Sequence, residues 1–124
     1  MRYLLDSNII IRMTIGRGEQ VRARAADCAD GDIVTSAIAY AEVAYGSSNG
    51  KTPAIEQLGA FVQEVPILPF DYKAALSYAA LPFKRASYDR LIAAHALSED
   101  LILVTENVAD FADIPGLKVE NWTQ

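Results

Sequence analysis

The sequence predicts an α/β fold, a three-layer α/β/α sandwich around a central, mainly parallel sheet. Short apolar runs alternate with helical patterns along the 124 residues, as expected of parallel strands joined by helical crossovers. The apolar runs are continuous, which is typical of strands covered on both faces. The chain shows no internal repeat and no interdomain linker. We therefore expect one domain over residues 1–124.

The predicted strands are short and apolar. Pro66 indicates that the third strand is irregular or lies at an edge of the sheet, because proline cannot donate to a strand ladder. The clearest buried strand is the fourth, which is an unbroken run of aliphatic residues. In chain order the predicted strands span residues 3–5, 33–35, 65–68, 101–105 and 118–120.

Helical patterns fill the first two connections. Gly16 and Gly18 interrupt residues 8–29, which predicts two short helices or one broken helix. Ser36 is a predicted N-cap for a helix over residues 37–45 that Gly46 ends. A further helix is predicted to start with Thr52 as cap and Pro53 at its first position, and to run to about residue 64.

Three more helical segments follow. Asp71 is the predicted cap of a helix that runs to residue 80, and Ser87 is the predicted cap of an almost wholly apolar helix. His95 lies on that helix, and we expect it to be a packed, hydrogen-bonded side chain rather than a base. Residues 106–111 are predicted to form a loop and a short helix.

Composition limits the classes of function. The formal net charge is −5, with 16 acidic and 11 basic residues, which argues against non-specific nucleic-acid binding over the whole surface. The single cysteine, Cys28, fits a reducing compartment. No signal peptide is recognised, and no apolar run approaches the ~20 residues of a membrane span. We expect a cytoplasmic protein without a membrane segment.

Four acids are expected at one edge of the sheet. Asp6 ends the first strand, where Ser7 or Asn8 can cap the next helix, and the carboxyl ends of parallel strands are where ligands bind in open α/β sheets. Each acid also has a simpler interpretation, such as a turn residue, a surface acid or a partner of a helix dipole. Glu42 shares a helix face with Ile38 and Tyr45, a face that we expect to point toward the core. The four acids are Asp6, Glu42, Asp89 and Asp110.

Converging carboxylates indicate a divalent cation. Carboxylates repel one another when they are unpaired, and Mg²⁺ or Mn²⁺ relieves that repulsion with the oxygen ligands that these ions prefer. Such a site can activate water and neutralise a phosphodiester under attack. The chain has no glycine-rich phosphate loop, which disfavours a nucleoside triphosphate. A glycosidase pair remains open on the carboxylates alone, although no series of aromatic platforms is recognised.

Several motifs in the chain resemble one family. They are residues 3–8 (YLLDSN), 41–46 (AEVAYG), 88–96 (YDRLIAAHA), 103–111 (LVTENVADF), 114–117 (IPGL) and 120–122 (ENW). In this order and spacing they resemble PIN-domain proteins, and specifically the VapC toxins of type II toxin–antitoxin modules. The resemblance extends over nearly the whole chain.

The resemblance implies a magnesium-dependent endoribonuclease, usually a homodimer, that a cognate VapB-type antitoxin silences. It carries the metal ligands over to Asp6, Glu42 and Asp89. The fourth acid occurs at one of two positions in the family, which hold Asn107 and Asp110 here, and we favour Asp110. The remaining polar residues of these motifs are expected to support the site; they are Ser7, Asn8, Thr105 and Asn107.

Two alternatives stay open at this stage. The same acids would serve a structure-specific DNA nuclease of the PIN type, because no feature of the sequence reads the 2′-hydroxyl of RNA. A PIN fold kept only for dimerisation, without catalysis, is the second alternative. Basic residues that can meet RNA phosphates locally are Arg12, Lys84, Arg85 and Arg90.

Overall fold

The computed structural model describes residues 1–82 and 85–124. Within these ranges the sheet has five strands, and every neighbouring pair is parallel. This confirms the predicted α/β class. The strands are β1 (Tyr3–Leu5), β2 (Ile33–Ser36), β3 (Ile67–Leu68), β4 (Ile102–Val104) and β5 (Val119–Glu120), in the order β3-β2-β1-β4-β5.

Six α-helices lie in the described ranges, and a short 3₁₀ helix at Val108–Phe111 joins β4 to β5. The strand order reverses direction after β3, so right-handed connections place the first four helices on one face and the last two on the other. No helix of the described residues is long and apolar enough to cross a membrane. The helices are α1 (Ser7–Thr14), α2 (Glu19–Ala26), α3 (Ala37–Ser48), α4 (Ile55–Glu64), α5 (Tyr72–Ala79) and α6 (Tyr88–Ser98).

The central strands form the core. Leu4, Leu5 and Leu103 are fully buried, and α6 packs its small and aliphatic residues against the sheet. His95 is 1% exposed; its Nδ1 lies 2.8 Å from the Ser36 hydroxyl, and burial lowers its pKa. This confirms the prediction of a packed, hydrogen-bonded histidine.

Two predicted helix boundaries are wrong. Helix α3 continues through Gly46 to Ser48, and Gly50 takes the left-handed conformation beyond its end, with φ of 84°. Helix α4 begins at Ile55 rather than at Pro53. The physical reason is that Pro53 belongs to the preceding loop, where its carbonyl accepts a hydrogen bond from Ser47 at the end of α3.

The position of the candidate site follows from the strand order. The connection after β1 goes to one side, toward β2, while the connection after β4 goes to the other side, toward β5. The carboxyl ends of two such neighbours enclose the crevice in which open α/β sheets bind ligands. Leu5 lies beside Val104, so Asp6 and Thr105 follow at that crevice.

Candidate active site

Asp6 occupies the crevice between β1 and β4. Its side chain is 2% exposed and belongs to the N-cap of α1, where Oδ1 accepts a hydrogen bond of 2.8 Å from the Ser7 amide. Its Oδ2 accepts a hydrogen bond of 2.7 Å from the Thr105 hydroxyl. Asp6 itself is therefore the cap, and the prediction that Ser7 or Asn8 serves that role is wrong. The acid ends the strand one residue before helical geometry begins, which is where an N-cap lies.

Thr105 connects Asp6 to the segment that carries Asp110. Its hydroxyl oxygen, which donates to Asp6, also accepts a hydrogen bond of 3.1 Å from the Asn107 amide. The 3₁₀ helix with Asp110 begins directly after Asn107. One buried hydroxyl thus fixes the position of this short helix relative to Asp6.

Glu42 lies in the middle of α3 and is half-buried. Its Oε1 is buried and has no hydrogen-bond partner among the described residues. Burial, followed by the charges of Asp6 and Asp89, raises the pKa of Glu42 to about 7, and a hydrogen bond from Ser7 opposes the rise. A buried carboxylate oxygen without a donor is costly, which makes this oxygen a candidate ligand for a cation.

The face of α3 that carries Glu42 differs from the prediction. Ala41 is exposed and Tyr45 is 64% exposed, so this face does not point toward the core. With Ile38 and Tyr88 these residues line a surface groove that reaches Glu42. Helix α3 buries Ala39 and Val43 on another face instead. An apolar stripe on a helix indicates burial against some surface, and the spacing alone cannot tell the core from a groove.

Asp89 and Asp110 approach Asp6 from other elements. Asp89 lies in the first turn of α6, whose N-cap Ser87 accepts a hydrogen bond from the Arg90 amide as predicted. Burial, followed by the charge of Asp110, raises the pKa of Asp89. The charges of Asp89 and Asp110 also act on Asp6, where burial is the largest cause of a raised pKa. Asp110 itself is exposed.

The four acids share one electrostatic neighbourhood without forming a closed cage. Within residues 1–82 and 85–124, no three acidic, histidine or cysteine side chains are grouped tightly enough to hold a metal ion by themselves. Mg²⁺ commonly takes only one or two carboxylates and keeps several waters. The all-oxygen donor set and the unpartnered Glu42 oxygen therefore fit a hard divalent cation with a partial water shell.

The basic residues predicted to contact RNA differ in their exposure and in their ion pairs. Arg90 is 8% exposed; it donates to the Pro82 carbonyl at 2.7 Å and pairs with Asp113, so its burial disfavours a contact with RNA. Arg85 is exposed. Lys84 lies outside the described residues. Arg12 is paired with Glu106, and no local pattern in the sequence indicates this pair, because 94 positions separate the two residues.

We expect the metal-free protein to lose stability as pH rises from about 4.5 to about 7. The pKa of Glu42 is raised from 4.5 to about 7, so the folded state holds a proton that the unfolded chain has released. The Glu42 contribution is fully present below the unfolded pKa and is lost as pH passes the folded pKa. Urea unfolding in chelator across this range measures it, with Glu42→Gln as the control. If the free energy of unfolding changed equally with pH in both proteins, the loss of stability could not be assigned to Glu42.

The five-stranded parallel sheet, with Asp6 at the crevice between β1 and β4, places the chain in the class of α/β proteins that bind ligands at the carboxyl ends of their strands. The chain belongs to the PIN-domain family, whose family model matches residues 3–117. Within that family its relatives are VapC-type ribonucleases. It is 28% identical to the tRNA(fMet)-specific endonuclease VapC of Salmonella typhimurium and 31% identical to ribonuclease VapC2 of Haemophilus influenzae, over 98% of each chain.

The fold is similar to that of solved complexes of the same group. The structure of VapBC2 from Rickettsia felis, bound to a DNA fragment from their promoter, superposes with a TM-score of 0.88 at 30% identity. The match covers 98% of this chain and 99% of that one. The expected PIN-like architecture and the resemblance to VapC proteins are thus both confirmed.

Proposed function

We propose that this chain is an endoribonuclease that hydrolyses RNA phosphodiester bonds at the Asp6 crevice with Mg²⁺ or Mn²⁺, and that it is the toxin of a VapBC-type module. The observation that carries the proposal is the buried, unpartnered Oε1 of Glu42 beside the charges of Asp6 and Asp89. The VapC-type ribonuclease relatives support it independently.

Asp6 and Glu42 have different parts in the proposed site. Asp6 is the fixed ligand, because the Ser7 amide and the Thr105 hydroxyl hold both of its oxygens in place. Glu42 offers its unpartnered Oε1 to the cation, and because its pKa is about 7 without metal, cation binding near neutral pH would displace a proton from it. A bound divalent cation would supply positive charge that lowers the pKa of water and neutralises the phosphodiester.

Asp110 is our choice for the fourth acid. Its charge raises the pKa of both Asp6 and Asp89, so it lies within electrostatic reach of both. The backbone N–H of Asn107 donates to the Thr105 hydroxyl oxygen and so supports Thr105. Asn8 reaches the Asp6 carboxylate at 3.5 Å, and Ser7 contacts both Asp6 and Glu42. We therefore give these neighbours supporting roles as hydrogen-bonding groups.

The proposed partners follow from the relatives. Similar solved structures include VapBC complexes, which supports a VapB-type antitoxin as the protein that silences this chain. We also propose that the chain acts as a homodimer in the cytoplasm, where its RNA substrate is found.

Cleavage of matched RNA and DNA strands tests the proposal. We expect the purified protein to cut a labelled RNA in Mg²⁺ or Mn²⁺, to be inactive in chelator, and to leave the DNA of the same sequence intact. Equal cutting of DNA would favour a DNA nuclease. No cleavage of either strand, in a protein that is folded and binds metal, would favour a non-catalytic interaction domain.

A further inference from the structure

Arg12 and Glu106 form an ion pair between two elements that build the site. Arg12 lies in the last turn of α1, and Glu106 directly follows Thr105, the first residue after β4 at the crevice. The Nε and Nη2 atoms of Arg12 both donate to Oε2 of Glu106, at 3.0 and 2.7 Å. Two donors on one acceptor oxygen fix the plane of the guanidinium better than a single contact does.

This pair is connected to Asp6 through the backbone on both sides. Glu106 follows Thr105, whose hydroxyl donates to Asp6, and the Glu106 amide reaches Oδ1 of Asn8 at 3.5 Å. Helix α1 is thus attached to the end of β4 twice, by Asp6 before its first turn and by Arg12 in its last. Arg12 lies six positions after Asp6, or ~9 Å along the helix axis. The guanidinium is therefore held at a set distance from the acids.

One part of the guanidinium is left for a ligand. The Arg12 side chain is 38% exposed, and its Nη1 donates to no side chain or carbonyl of the part of the chain that the structure describes. Arginine forks match phosphate oxygens well. The chain has a net charge of −5, so an RNA strand that approaches the acids needs a cation placed close to them.

We propose that Glu106 is a positioning residue that orients Arg12 to bind an RNA phosphate next to the bond that is cut. The proposal rests on the proposed function, because it takes RNA as the substrate. An ion pair as exposed as this one adds little to folding stability. Its effect is on where the guanidinium lies, and through that on how RNA binds.

The test measures RNA binding without cleavage, in an Asp89→Asn background that keeps the contact between Asp6 and Thr105. A fluorescein-labelled single-stranded RNA is titrated by anisotropy across a series of KCl concentrations in chelator. Arg12→Ala should weaken RNA binding about tenfold. It should also make the slope of the logarithm of the association constant against the logarithm of the salt concentration shallower by about 0.7, which is the value for one lost phosphate contact on a single strand. Lys118→Ala removes an exposed positive charge directly before β5, at the amino-terminal ends of the strands and so away from the crevice. This variant should leave the salt dependence unchanged.

Variants of Glu106 test the proposal by the direction in which they change the affinity for RNA. Removing its negative charge would by itself strengthen RNA binding, since it reduces repulsion of phosphates. If Glu106 orients Arg12, Glu106→Ala instead weakens binding about threefold or more, and Glu106→Gln, which keeps an acceptor oxygen, recovers much of the loss. The double variant with Arg12→Ala should bind no more weakly than Arg12→Ala alone.

Three results would overturn the proposal. In the first, Glu106→Ala binds RNA as tightly as the inactive background protein, or more tightly. In the second, the losses of affinity add in the double variant. In the third, Lys118→Ala changes the salt dependence as much as Arg12→Ala does. Absence of RNA binding in the folded parent would overturn it as well. RNA binding that depends on this pair, in a protein that otherwise cuts no RNA, would refute the proposed function and leave the positioning role intact.

Discussion

Changing Asp6 to asparagine is expected to abolish RNA cleavage, lowering the rate by more than about a hundredfold, while the fold survives. Asparagine is as good an N-cap as aspartate, so α1 keeps its start. What is lost is the charge of the most fixed acid of the site, together with the second acceptor oxygen, which binds the Thr105 hydroxyl. Initial rates of RNA cleavage in Mg²⁺ measure the loss, and growth toxicity on expression should disappear with it.

Asp71 offers a matched control for this variant. It is the N-cap of α5, and its side chain accepts a hydrogen bond of 3.0 Å from the Ala74 amide. Asp71→Asn makes the same chemical change at another helix start and should leave cleavage near the wild-type rate. A folded Asp6→Asn protein that cuts RNA as fast as wild type would end the assignment of Asp6 as a catalytic ligand.

Mg²⁺ is expected to stabilise the wild-type protein more than an Asp89→Asn variant. At one hundred times Kd, binding adds about 2.7 kcal/mol, or roughly 10 °C in melting temperature. Removing the Asp89 charge weakens the site for the cation and relieves repulsion with Asp110. In chelator the variant should therefore melt at or above wild type, and the order should reverse in excess Mg²⁺. Thermal melting of both proteins at one pH and ionic strength measures this.

The opposite order in chelator has a specific meaning. Asp89 lies in the first turn of α6, where the helix dipole favours a negative charge. If Asp89→Asn melts well below wild type without metal, that structural interaction outweighs the repulsion from the other acids. Asp89 would then be a helix-stabilising residue, and the proposed metal site would lose one of its ligands.

Much of the fold could be predicted because its signals are local. The apolar runs of β1 and β4, the cap Ser36 and the cap Asp71 each depend on a few neighbouring residues. The errors lie at helix boundaries, where the residue type alone did not decide the end or the start of the helix. Gly46 resembles a helix end, but α3 continues through it. Pro53 resembles a helix start, but it lies in the loop before α4, where its carbonyl accepts a hydrogen bond from the Ser47 hydroxyl.

The site was predictable in part for the same reason. Strand ends and helix starts meet at one edge of a parallel sheet, so Asp6 and Asp89 could be placed without coordinates. The pairing of Arg12 with Glu106 could not, because it depends on the docking of α1 against the end of β4. Nor could the burial of Arg90, whose guanidinium holds the Pro82 carbonyl.

Both outer strands of the sheet are only two residues long. The row of unpaired backbone groups that a sheet edge exposes is therefore short on β3 and β5, and Pro66 precedes β3 with no amide hydrogen to offer. Such edges are poor templates for strand addition, so a free copy of the chain is protected against edge-to-edge aggregation. We expect protein partners to attach through side chains on helix faces rather than by extending the sheet.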